Sequence, residues 1–189
     1  MDTMDKVYTM EIAGLKRDLP LCKVADDFYI AAFIMFGDVE ITKAAAKELL
    51  AKAPEFDVMI TAESKGIPLL YEMARQAGHN EYIVARKAPK LYMRNIIVTD
   101  VNSISTANKQ LLCIGQEEAD MMCGKRVLVV DDVISTGESL AALETLIKQV
   151  GGNIVGRMAV LAEGDAIGRE DITYLAPLPV FHEDGTIIE

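Results

Sequence analysis

Arg126-Val127-Leu128-Val129-Val130-Asp131-Asp132-Val133-Ile134-Ser135-Thr136-Gly137-Glu138-Ser139 is the stretch on which the reading of this chain turns. Val127–Val130 is a continuous apolar run, as expected of a parallel strand covered by helices on both faces. Leu140, Leu143, Leu146, Ile147 and Val150 then follow at helical spacing. Between them lies a short loop of small and hydroxyl-bearing residues. Its backbone N–H groups precede the helix and have no intrahelical acceptor, and the helix dipole adds positive potential there, so a phosphate suits the place. Ser135, Thr136 and Ser139 can donate hydroxyl bonds, and Gly137 permits close approach. Two carboxylates beside a phosphate would repel it, so Asp131 and Asp132 must face something else. Sugar hydroxyls donate to carboxylates, and a 5-phosphorylated ribose offers both groups together.

These residues resemble the PRPP-binding signature of type I phosphoribosyltransferases: apolar run, acidic pair, two apolar residues, then small-Thr-Gly-x-Ser/Thr. The resemblance implies that Asp131 and Asp132 hold the ribose 2- and 3-hydroxyls and carry the catalytic role. It gives the 5-phosphate to the loop of Val133, Ile134, Ser135, Thr136, Gly137, Glu138 and Ser139. Receiver domains of response regulators also open on Val-Leu-Val-Val-Asp-Asp, but their acidic pair lies near the domain start, and the Ser-Thr-Gly-Glu-Ser turn has no part in that scheme. The Gly-Lys-Ser/Thr of nucleotide-hydrolysing loops is absent.

Charge patterning supplies a second piece. The chain carries a net charge of −10 over 189 residues. Yet no acid occurs between Tyr82 and Thr99, where Arg86, Lys87, Lys90 and Arg94 crowd together. Cations concentrated in an acidic protein point to a local anion such as pyrophosphate. Met59-Ile60-Thr61-Ala62-Glu63-Ser64-Lys65-Gly66 repeats the strand, polar loop, helix design. By resemblance Glu63, Ser64, Lys65 and Gly66 form the pyrophosphate loop, and Arg86, Lys87 and Lys90 approach the same group, in some relatives from a neighbouring subunit. Ser103–Thr106 would belong to a mobile hood that keeps water from the ribosyl centre. The match is nearest to adenine phosphoribosyltransferases and their xanthine- and guanine-using relatives. One departure is plain: the adenine enzymes carry a Tyr-x-x-Glu-Tyr-Gly-like segment, whereas Val101–Gln110 holds no carboxylate.

Glu163 follows the strand ending at Leu161 and is the candidate base-binding residue, a carboxylate favouring bases that present N–H donors. Leu15, Leu19, Val24 and Phe28 are candidates for covering the base. The expected ligands are PRPP and a purine, adenine first, with guanine, hypoxanthine and xanthine left open. Mg²⁺ is expected to arrive chiefly on PRPP, with no dedicated set of protein metal ligands. A PRPP-sensing regulator that keeps the cradle without the chemistry is the alternative.

Composition sets the remaining bounds. With 51% apolar residues the chain can bury a full core. The acidic balance argues against nucleic acid and anionic membranes as partners. Cys22, Cys113 and Cys123 show no metal spacing and an odd count, read as reduced thiols. Met1–Arg17 is charged and lacks an apolar core of signal length, and Phe28–Phe36 is too short to span a bilayer, so a cytoplasmic location is expected.

Along the chain, 1–37 reads as an N-terminal hood or arm and 38–189 as the α/β domain. Expected elements are a hairpin arm over Asp27–Phe36, helix Ile41–Ala53, strand Asp57–Thr61, helix Ile67–Gln76 and strand Tyr82–Ala85. Two extended arms (Asn95–Thr106, Lys109–Ile114) and a helical turn at Glu117–Met122 precede the signature strand. Helix Glu138–Val150, strand Ile154–Leu161 and an edge strand Ile172–Leu175 complete the set. Alternating β and α elements indicate a doubly wound α/β fold with a mainly parallel sheet, carrying the hood and an extended flexible-loop arm. A homodimer is the implied assembly.

Overall fold

The pattern of the apolar signature strand is realised at the centre of a five-stranded parallel sheet. A computed structural model of the chain describes residues 6–100 and 111–188. The sheet contains β4 (Val58–Ala62), β5 (Ile83–Ala85), β8 (Arg126–Ile134), β9 (Asn153–Glu163) and β10 (Thr173–Leu178), in the order β10-β9-β8-β4-β5. Numbered among themselves the strands run 5-4-3-1-2, so the winding reverses between β4 and β8. That switch point opens a crevice at the strands' carboxyl ends, where ligands of such sheets bind.

Alternation along β8 explains how both faces are covered. Leu128 and Val130 pack with α1 (Val39–Lys52) and α2 (Ile67–Ala77). Val127 and Val129 pack with α3 (Gln116–Met122) and α4 (Glu138–Gln149). The helix ends follow local chemistry. The Asp38 carboxylate accepts a bond of 3.0 Å from the Ile41 amide, so α1 starts at Val39 rather than at Ile41. It stops at Lys52, because Ala53 is driven to extended backbone before Pro54. Gly78, at φ +77°, closes α2.

The hood is larger than the hairpin expected from its sequence. β1 (Val7–Ile12), β2 (Leu15–Ala25) and β3 (Phe28–Ala31) form an antiparallel meander, and β11 (Val180–Phe181) from the far end of the chain pairs with β3. Arg17 on β2 bonds Asp38 and Glu40 at 2.6 and 2.8 Å, which ties the hood to the start of α1. Two short strands, β6 (Ile97–Asp100) and β7 (Leu111–Ile114), form an antiparallel ribbon linked to the sheet edge through reciprocal bonds of 2.8 Å between Arg86 and Cys113. Residues 101–110, including the Ser103–Thr106 segment, lie outside the described residues. No helix among the described residues is long and apolar enough to cross a membrane.

Buried Glu72 on α2 accepts from Arg75 at 2.7 and 2.8 Å and from Gln76 at 2.8 Å, and these bonds, Arg75 first, hold it down at about 2. A depressed folded pKa contributes stability above the ordinary carboxylate value of 4.5, and that part is lost as pH falls toward 2. Glu72→Gln should therefore show a smaller drop in urea midpoint than the wild type between neutral pH and about pH 3. An equal drop would mean that this pair is not coupled to acid unfolding.

Candidate active site

Three adjoining cavities occupy the crevice, and Val133 lines all of them. The first, about 100 Å³, is walled by Asp131 and by the run from Val133 to Leu140. Strand β8 carries the acidic pair within it and ends at Ile134, so the carboxylates are fixed by ladder bonds rather than by a loop. Gly137, at φ +80°, turns the chain into α4 with no side chain of its own to cap the helix, and the Glu138 amide donates to the Thr136 hydroxyl at 3.5 Å. A helix start beside hydroxyls is a place for an anion.

The second cavity, about 210 Å³, lies between the two strand ends and is lined by Ala62, Glu63, Ser64, Lys65, Lys87, Asp131, Asp132, Val133 and Ser139. The Glu63 carboxylate is already engaged: it accepts from the Lys87 amide at 3.1 Å and lies 3.5 Å from Arg86 and 3.8 Å from Lys90. These neighbours, the Lys87 amide first among the causes that lower it, keep Glu63 below the usual carboxylate range. Its visible part is to draw the basic segment onto the loop, leaving Lys65 and Lys87 on the cavity wall. Gly66 makes the loop possible, since a Cβ there would stand 2.3 Å from Thr61 Oγ1 and 3.1 Å from Asp131 Oδ1.

Between these cavities the acidic pair is electrostatically costly. Asp132 is 5% exposed, and its Oδ2 is buried with no hydrogen-bond partner among the described residues. Asp131 Oδ1 accepts from the Asp132 amide at 2.9 Å. Burial first, and the adjacent Asp132 charge second, raise Asp131 well above the usual carboxylate range. Two such groups are stabilised by a ligand that donates hydrogen bonds or brings positive charge.

The third cavity, about 260 Å³, lies toward β9 and under the hood, walled by Ile30–Ile34, Lys65, Asp132, Val133, Ser135, Glu163 and Leu178. Thus Glu163 is placed in the crevice with Asp132 and Lys65. Leu15, Leu19, Val24 and Phe28 are not among its walls. The cover is instead the extended segment Ile30–Ile34, in which Ala31 and Phe33 are buried, as are the flanking Tyr29 and Met35, while Ile34 is 57% exposed. The continuous apolar run over 28–36 was the available signal, but which face meets the crevice depends on the pairing of β3 with β11. A separate apolar groove of about 410 Å³, between the start of α1 and α2, shares no residue with these three.

All the sequence-selected residues on β4, β8, β9 and their loops therefore meet in one crevice. Arg86 and Lys90 stand one layer back, on Glu63. Among the described residues no group of three or more His, Cys, Asp or Glu side chains is arranged to hold a metal ion.

Comparisons with known proteins agree with this arrangement. The adenine phosphoribosyltransferase of Rhodococcus jostii is 30% identical over 79% of this chain and 85% of its own length. That of Arthrobacter is 33% identical over 63% of this chain, and that of Bifidobacterium longum DJO10A 35% over 62%. The matched part spans 61% and 58% of the length of these two relatives. Among solved structures, adenine phosphoribosyltransferase from Rhodothermus marinus has a TM-score of 0.64 at 20% identity, covering 91% of this chain and 94% of that one. The fold is shared at that level. A family model for the phosphoribosyl transferase domain matches residues 38–181, which include the acidic pair, its hydroxyl loop and every strand of the parallel sheet. By its sequence, its winding and its crevice, the chain belongs to the phosphoribosyl transferase family.

Proposed function

We propose that the protein is a purine phosphoribosyltransferase, moving the 5-phosphoribosyl group from Mg·PRPP to a purine, adenine the first candidate. The observation that carries this is the three-part crevice around Val133, whose parts match in order a 5-phosphate, a ribose with its pyrophosphate, and a base. That the relatives are adenine phosphoribosyltransferases supports the choice of base.

In this reading a ring nitrogen of the base forms a bond to ribose C1 as the C1–O bond to pyrophosphate breaks, its electron pair leaving with pyrophosphate. The ring N–H proton of the base passes to the departing pyrophosphate, directly or through water, as the new bond forms. Positive charge grows on the ribose, beside Asp131 and Asp132. Negative charge grows on the leaving group, beside Lys65, Lys87 and the Ser64 hydroxyl. Fixed charges at both ends lower the barrier without reorganisation at the moment of reaction. The hood strand excludes water from the base side. Mg²⁺ bound on PRPP would supply further neutralisation of the pyrophosphate, and Asp131 and Oδ2 of Asp132, which has no partner among the described residues, would be the groups to meet it or its waters.

The reading includes a homodimer and a cytoplasmic protein with neither nucleic acid nor membrane as partner, supported by the charge of −10. Leu91 and Tyr92, fully and 68% exposed beside the basic segment, are apolar surface that a second copy would bury.

Calorimetric titration tests the site itself. Mg·PRPP should bind more tightly than ribose 5-phosphate or pyrophosphate alone, because it fills two cavities at once. The two fragments should each compete with PRPP. No PRPP binding, or competition by neither fragment, would refute the assignment.

A further inference from the structure

We propose that Glu163 selects the base through its proton state, pairing with adenine when its carboxyl is protonated and with guanine when it is ionised. This rests on the purine reading above and names what decides between purines. The first observation is geometric. Glu163 ends β9, one strand beyond Asp132 on the side away from the pyrophosphate loop, and it lines the cavity under the hood. A base joined to ribose at that side presents its remote edge, carrying N1 and the substituent at C6, toward β9.

The second observation is that the Glu163 carboxyl has no hydrogen-bond or ion-pair partner among the described residues. The charged groups lining the cavity with it are Lys65, from the loop after β4, and Asp132, from β8. The hood contributes only Ile30–Ile34, and β10 only Leu178. Exposed Ile34 and the neighbouring apolar side chains of the segment suit the face of an aromatic ring, with Glu163 at its edge.

Hydrogen-bond chemistry then assigns the two states. A protonated carboxyl donates its O–H to adenine N1, and its other oxygen accepts from the 6-amino group. An ionised carboxylate offers two acceptors, which meet guanine N1–H and the 2-amino group. The mismatched pairs set lone pair against lone pair or donor against donor. Burial pushes Glu163 above the ordinary carboxylate range, the direction that brings the protonated form within reach, while Lys65 pulls the other way.

The test is the adenine-to-guanine ratio of kcat/KM for wild type and Glu163→Gln, from about pH 5 to pH 9. The wild-type ratio should fall as pH rises. The amide of the variant is always one donor and one acceptor, so its ratio should be flat. At the alkaline end it should exceed that of the wild type by about tenfold or more. Titration of the bases themselves is common to both proteins, so the difference between them isolates Glu163. Calorimetric affinities for AMP and GMP over the same range supply a readout that needs no turnover. A wild-type ratio that tracks the variant's at every pH, with turnover intact, overturns this inference and leaves the transferase reading standing. Affinities that follow the pattern without turnover of either base uphold Glu163 and overturn catalysis.

Discussion

Replacing Asp131 and Asp132 together by asparagine is expected to lower PRPP-dependent turnover by roughly a thousandfold, about 4 kcal/mol of transition-state stabilisation. The chain should fold as before. Asn has the shape of Asp, and the charge being removed is one that the fold carries at a cost. The sign follows from Asp131, whose folded pKa lies above the ordinary 3.8, burial being the first cause. A group with a raised folded pKa holds its proton more firmly in the native state, so its ionisation subtracts stability as pH climbs past 3.8. At neutral pH the variant should melt at the same temperature as the wild type or higher, and that gain should vanish in acid. Pyrophosphate release and thermal unfolding measure the two halves. Activity within about tenfold of wild type would remove the carboxylates from the chemistry.

Gly66→Ala carries the second large effect. The new methyl would lie 2.3 Å from Thr61 Oγ1 and 3.1 Å from Asp131 Oδ1, and Thr61 is fully buried on β4. Neither wall can retreat without moving a central strand or an acid of the site. Overpacking of this kind should cost about 2–3 kcal/mol of stability. It should also weaken PRPP binding by about tenfold or more, since the displaced groups are the loop proposed for the pyrophosphate and Asp131. Adding Thr61→Ala removes the nearest atom and should restore part of the stability, a coupling that a double-mutant cycle reads directly. A Gly66→Ala protein as stable as the wild type, with unchanged PRPP affinity, would show that the loop is not packed on the acid.

The doubly wound sheet was legible because its signals are local. Apolar runs of strand length, each followed by a helix-period segment and a glycine, fix β4, α2, β8 and α4 without knowledge of what they touch. The same holds for the acidic pair and the hydroxyl loop, whose chemistry and spacing sit within fourteen consecutive residues. What remained hidden depends on partners far along the chain. The hood is completed by β11, which pairs with β3 across some hundred and fifty residues. That pairing, rather than any feature of residues 28–36, turns Ile30–Ile34 toward the third cavity in place of Leu15, Leu19, Val24 and Phe28. Glu63 shows the same limit: its neighbourhood marks an anion site, but its bonds to Arg86, Lys87 and Lys90 come from the segment after the next strand.

The most direct measurement is pyrophosphate release from Mg·PRPP with adenine, guanine, hypoxanthine and xanthine offered one at a time. A purine phosphoribosyltransferase releases pyrophosphate only when an accepted base is present, and adenine should support it, with AMP formed in equal amount. No release with any of the four from a protein that binds PRPP would contradict catalysis and leave a PRPP sensor.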